Sequence, residues 1–391
     1  MSFTETYYSL KEQWKNANNG FQSASGTSIE WVEFNSGNRK EGKEVHYLSS
    51  LREAIPGARN DENIIENREF RYPVFKPGNL DINNGAILLL HGLNERKWDK
   101  YLCWADYLAS KTGKSVILFP ISFHLNRSLP EWTNRHIMMQ TALERQSKYH
   151  VGNSESTFIN GALSERLTEL PERFFLSGLQ TSNDLIFLLN DIYEGKHPLF
   201  HRGTHTDIFA YSIGGLLAQV LFIANPEELL SDSKLFLFCA GSLFHEMNGI
   251  SKLIMDPVAY HKIHNYYTSD LELQIKKQGA FADFFNNSKV GMAFRSMIAP
   301  DRLKSFRERI FKNRKEHIYA ISMKNDRVIP SPGISKALMG TAERPPSNME
   351  VMDFSYPNYH EMPFPVKNES FKNQVDEAFE NIFSKAAAFL A

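Results

Sequence analysis

Residues 206–218 read TDIFAYSIGGLLA. A short apolar run closes at Ala210, Ser212 follows, and Gly214 and Gly215 open a second apolar run. A chain patterned this way turns sharply from strand into helix and holds the serine hydroxyl out at the tip. Strand and helix backbones pass close together at such a turn, so small residues are needed at Ala210 and Gly214. Ala stands at a position that more usually carries Gly, and its single methyl is tolerable there. The helix N-terminus behind the serine favours developing negative charge. Ser212 is therefore a candidate nucleophile. On the five-residue pattern alone it reads equally well as an ordinary helix N-cap.

The surrounding chain weighs on that choice. Apolar runs occur at residues 86–90 (AILLL), 115–119 (SVILF), 207–210, 234–240 (KLFLFCA) and 317–323 (HIYAISM), with a sixth at 349–354. Short continuous apolar runs suit central strands of a parallel sheet covered on both faces. Helical patterns fall between them at 98–112, 182–193, 213–224, 334–340 and 373–390. The alternation predicts an α/β fold, a doubly wound, mostly parallel sheet with right-handed crossovers. Ser212 then follows the third central strand.

Residues 126–178 and 242–313 break the rhythm. Both are mostly helical by pattern, rich in aromatic residues, and leave from the carboxyl ends of strands, where open α/β sheets bind ligands. They are expected to form helical cap insertions over that edge; assembly into a homo-oligomer is the alternative use for them. Residues 1–80 are expected to form an N-terminal extension that adds antiparallel edge strands at 28–34 and 44–48, and residues 81–391 the core.

Composition bounds the partners. At 391 residues, 42% hydrophobic and 23% charged, the chain can bury a large core. A formal net charge of −1 gives no electrostatic case for nucleic acid or an anionic membrane. No apolar run approaches the length of an integral membrane segment, and the first residues lack a signal-peptide pattern, so a cytoplasmic location is expected. The two cysteines, Cys103 and Cys239, sit in apolar surroundings and read as buried hydrophobes. The pairs His201/His205 and His261/His264 have no cysteine companion, so no metal site is expected.

With Ser212 placed on the third central strand, residues 83–391 outside the two insertions resemble the α/β-hydrolase superfamily. The family's order of nucleophile, acid and histidine finds a match in Ser212, then Asp326 in the turn KNDRVIP, then His360 in the loop YPNYHE. The resemblance implies a Ser-His-Asp triad. Ser212 attacks a carbonyl carbon, His360 carries the proton, and Asp326 holds the imidazole. Glu246, after the fourth strand, is the alternative acid. The family's oxyanion-hole loop matches His91-Gly92-Leu93, which implies backbone N–H donors at Leu93 and Ile213 and a structural role for His91. Asn94, His124 and Arg127 lie where a polar or anionic substrate group would bind, a surface ion-pair network being the plainer reading. The resemblance implies a small-molecule ester or related acyl substrate and no cofactor. The competing class is a hydrolase-fold binding module without catalysis, which a complete triad argues against.

Overall fold

The computed structural model describes residues 1–15, 20–38, 43–78, 81–341 and 343–391. Its strands are β1 (Phe21–Gln22), β2 (Ser28–Asn35), β3 (Glu69–Lys76), β4 (Asn83–Leu90), β5 (Ser115–Leu118), β6 (Phe200–Tyr211), β7 (Leu235–Phe238), β8 (Ile318–Met323) and β9 (Met349–Met352). They form one sheet in the order β1-β2-β3-β5-β4-β6-β7-β8-β9. From β5 across to β9 every pairing is parallel, and β1, β2 and β3 extend one edge antiparallel. The chain is an α/β protein with a doubly wound, mostly parallel sheet.

Alternation along the central strands builds two separate cores. Leu88, Leu90, Ile208, Ala210, Leu235 and Leu237 face one side, against the helices Glu172–Tyr193 and Ile213–Ala224. Ile87, Leu89, Phe209, Tyr211, Phe236 and Phe238 face the other, against Phe3–Trp14, Asp99–Thr112 and Lys372–Leu390. Each fully buried Leu, Ile or Phe stabilises the fold by roughly 1.5–3 kcal/mol, which is why the stretches 86–90, 208–210 and 235–238 inside these strands carry no polar residue.

The N-terminal region differs from expectation in one element. Residues 44–48 belong to the helix Lys43–Ala54, not to a strand. Leu48, Leu51 and Ile55 are buried at helical spacing, and that period outweighs the short apolar-polar alternation. The strand that pairs antiparallel with β2 is β3 instead, and it lies between β2 and β5. Pro73 interrupts its sequence, but it pairs opposite Trp31 of β2 inside a regular register. The helix Phe3–Trp14 starts at a capping box formed by Ser2 and Glu5 and docks on the C-terminal helix, where Thr4 donates its N–H and hydroxyl to Asp376 at 2.8 and 2.6 Å. The boundary drawn at residue 80 lies outside the described residues.

Residues 126–178 contain the helices Arg135–Tyr149 and Gly161–Glu169 and run into Glu172–Tyr193, which starts ahead of the expected residue 182. Residues 242–313 contain Pro257–Asn265, Ala280–Asn287, Lys289–Ser296 and Lys304–Asn313, with short helical turns between them. A buried bidentate pair joins the two segments: Arg145 donates from Nε and Nη2 to Asp256 at 2.7 and 2.9 Å. No helix among the described residues is long and apolar enough to cross a membrane.

Candidate active site

β6 ends at Tyr211 and the helix Ile213–Ala224 begins at once, leaving Ser212 alone to make the turn. Its backbone sits at φ 56°, ψ −129°, a region that costs a non-glycine residue of order 1–3 kcal/mol. The neighbouring glycines are there for space. A methyl group on Gly214 would meet the Leu90 and His91 carbonyl oxygens at 2.7 Å, and one on Gly215 would meet Ala240 Cβ at 2.5 Å. Ser212 makes no helix-capping hydrogen bond with its side chain, so the N-cap role does not hold its hydroxyl.

That hydroxyl donates to His360 Nε2 at 2.7 Å, and His360 Nδ1 donates to Asp326 Oδ2 at 2.7 Å. Asp326 Oδ1 accepts from the N–H groups of Val328 and Ile329, each at 2.9 Å. All three side chains are buried. The carboxylate is thus held by its own turn and leaves one oxygen for the imidazole. The bond to Asp326 puts the His360 proton on Nδ1, so Nε2 faces Ser212 as an acceptor. Tyr211 stacks on the His360 ring at 5.5 Å and donates its hydroxyl to the His360 carbonyl. Burial pushes the Tyr211 phenol well above its ordinary range, keeping it a donor. Glu246 pairs with Lys336 at 2.6 Å rather than with His360.

The loop after β4 closes on Ser212 from the other side. A methyl group on Gly92 would lie 3.3 Å from Ser212 Cβ. His91 is fully buried, its Nδ1 bonded to the Gly92 carbonyl and its Nε2 accepting from Ile121 N–H, both at 2.8 Å. Gly92 N–H donates to Tyr101, whose hydroxyl donates to Glu95. The N–H groups of Leu93 and Ile213 have no partner among the described residues.

The remaining candidates separate. Asn94 lines a cavity and donates to the carbonyls of Ile159 and Leu253 at 3.0 and 2.7 Å, tying its loop to both long segments. His124 lines the same cavity; its Nδ1 is bonded to the Ser122 carbonyl, and burial, then Arg127, lower its pKa to about 4. Arg127 is a correction. It is completely buried away from the cavity, paired with Asp184 at 2.7 Å and bonded to the carbonyls of Asn67 and Pro120. A substrate would have to break that network to reach it.

Two cavities meet beside Ser212. The larger, about 1120 Å³ including its open mouth, runs under Phe123 and under Trp132 and Arg166 of the first segment. The smaller, about 450 Å³, touches Ser212 itself and is walled by Phe244, Met247 and Tyr260 of the second. Leu93, Phe174 and Ile213 line both. Among the described residues no group of three or more His, Cys, Asp or Glu side chains is placed to hold a metal ion.

A sheet of this strand order, with a strained serine between its central strand and the next helix, has the α/β-hydrolase fold. The chain belongs to the family described as "Family of unknown function (DUF6051)", whose model matches residues 1–391. No curated protein matches the sequence. Similar solved structures include the hyperthermophilic esterase from the archaeon Pyrobaculum calidifontis, at 12% identity and TM-score 0.43 over 98% of this chain and 90% of that one. A cold-adapted esterase from an Arctic intertidal metagenomic library has 9% identity and TM-score 0.40 over 96% and 98%. Carboxyl esterase 2 from the fungus Tuber melanosporum has 11% identity and TM-score 0.40 over 83% and 82%.

Proposed function

We propose that the protein is a serine hydrolase that cleaves a carboxylic ester or related acyl bond through an acyl-Ser212 intermediate. The observation that carries this reading is His360, bonded to Ser212 through one ring nitrogen and to Asp326 through the other. As Ser212 Oγ bonds to the carbonyl carbon, its proton passes to His360 Nε2 and the carbonyl oxygen becomes an oxyanion. Leu93 N–H and Ile213 N–H receive that charge. The oxyanion then collapses, the carbon–oxygen bond to the alcohol breaks, and His360 returns the proton to the departing oxygen. Water, deprotonated by the same imidazole, releases the acid and restores Ser212. Asp326 stays ionised and stabilises the imidazolium.

The same reading makes residues 126–178 and 242–313 a cap that shapes the substrate site. The first supplies Trp132 and Arg166 to the larger cavity, the second Phe244, Met247 and Tyr260 to the smaller and Val290 and Phe294 to the larger, and Phe174 lines both. An ester with bulk on both sides of the scissile bond fits this arrangement.

A fluorophosphonate probe tests the nucleophile. Labelling of the wild type that disappears in Ser212→Ala is the expected result. Labelling that persists in the variant, or a folded wild type that never labels, overturns the reading and leaves a binding module in its place.

A further inference from the structure

Arginine is over-represented in the larger cavity, and most of its charge is answered from within the protein. Arg166 donates from Nη1 and Nη2 to Asp61 at 3.2 and 3.0 Å and stacks on Trp132 at 4.3 Å. Arg173 reaches the same carboxylate through Nε at 3.1 Å and also pairs with Glu169. Glu95, the carboxylate of the lining, pairs with Lys100 at 2.5 Å.

Arg96 is different. Among the described residues its one hydrogen bond runs from Nη2 to the Trp132 carbonyl at 2.5 Å, and no carboxylate lies within ion-pair distance. Burial lowers its pKa, and no acidic neighbour acts in the other direction. A guanidinium carries five N–H donors in a rigid fork that matches a carboxylate. Here it is half-buried at the cavity wall, has lost part of its water, and has no anion to replace it.

We infer that Arg96 is an anion-binding subsite of the larger cavity, and that the substrate is an ester carrying a carboxylate at the end remote from the scissile bond. The hydrolase reading identifies the bond that is cut, and the inference rests on it to that extent. Arg166, stacked on Trp132, is held by Asp61, so the carboxylate docks against Arg96.

The test pairs each anionic ester with a neutral twin. On the acyl side these are nitrophenyl half-esters of glutarate and suberate, against the same compounds with the far carboxylate capped as a methyl ester. On the alcohol side they are the butyrate ester of para-hydroxybenzoate and that of its methyl ester. The readout is the anionic-to-neutral ratio of kcat/KM. For at least one pair the wild type is expected to favour the anion by roughly 10- to 100-fold, mainly through KM, as charge-assisted hydrogen bonds of this kind deliver. Arg96→Gln brings the ratio to about one, Arg96→Lys leaves it between, and added salt lowers it in the wild type. A wild-type ratio near one for every pair, or a ratio that survives Arg96→Gln, overturns the inference. Calorimetric binding of the intact esters to Ser212→Ala reads the same ratio as dissociation constants. If nothing is hydrolysed while that binding ratio holds and falls with Arg96→Gln, the hydrolase reading fails and the anion subsite stands.

Discussion

The two cavities share a ridge of Leu93, Phe174 and Ile213, yet their walls differ in kind. On the side of the second segment the lining is apolar apart from Ser212 and Tyr260, and the Tyr260 hydroxyl already donates to the Met247 carbonyl at 3.0 Å. On the side of the first segment the lining carries arginines, Glu95 and His124. Under the function proposed above, the apolar wall selects by shape, since a methylene more or less in an apolar pocket is worth only about 1–3 kcal/mol. The other selects by charge, and the two halves of the proposed substrate are then read by different physics.

Loss of the base removes the comparison altogether. His360→Ala should lower kcat by about 10⁴-fold for every ester, whichever cavity its bulk occupies, with KM little changed. A loss confined to one ester class would mean that His360 positions substrate rather than moving the proton.

Acid should act on one side first. His124 lines the charged wall, His91 packs behind it at 5.4 Å between ring centroids, and His197 bonds to Tyr72 of β3; burial holds His124 and His197 down to about 4 and His91 well below its ordinary value. The unfolded chain takes up these protons near pH 6.5, whereas the folded protein refuses them. Their contribution is fully present above pH 6.5 and lost as the pH falls toward 4, at up to about 1.4 kcal/mol per pH unit for each histidine. Urea midpoints between pH 7 and 4 measure the slope, which His124→Gln should make shallower. An unchanged slope would mean that His124 takes up its proton in the folded state as easily as in the unfolded one.

Opening the ridge sharpens the contrast. Phe174→Ala joins the two cavities and should reduce discrimination between positional isomers of a bulky ester by about tenfold, at a stability cost of roughly 0.5–3 kcal/mol. Retained discrimination would show that the walls, not the ridge, sort the substrate. The smallest effect expected is that of Tyr260→Phe. It removes one satisfied hydroxyl from the apolar side and should change stability by about 1 kcal/mol, without altering the preference for anionic esters.

The sheet was legible because its central strands are apolar on both faces and end in clear punctuation. β4, β5, β6, β7 and β8 lie on the apolar runs that announce them. β3 was hidden by Pro73, and the helix over residues 43–54 by a segment too short for its period to stand out. Ser212, Asp326 and His360 could be selected from position because each falls in a turn after a recognisable strand. Arg127 misled for the same reason: closeness to a strand end fixes where the backbone goes and not which way a long side chain turns. Arg166 and Arg173 had no local signature at all, since Arg166 and Asp61 are 105 residues apart in the chain. Long-range ion pairs become visible only once the backbone is folded.

Asp61 carries a consequence for how this protein can be cut and recombined. It lies in the N-terminal segment, within Ala58–Asn63, yet its carboxylate holds both Arg166 and Arg173 at the cavity wall. A shortened version beginning at β4 would keep all the residues around Ser212 and still leave two guanidinium groups facing each other with only Glu169, which pairs with Arg173, as counter-charge. Chimeras that exchange the first insertion with a relative inherit the same debt unless the N-terminal segment travels with it. The unit of modular exchange in this fold is a pair of segments distant in sequence, and the larger cavity is their joint property.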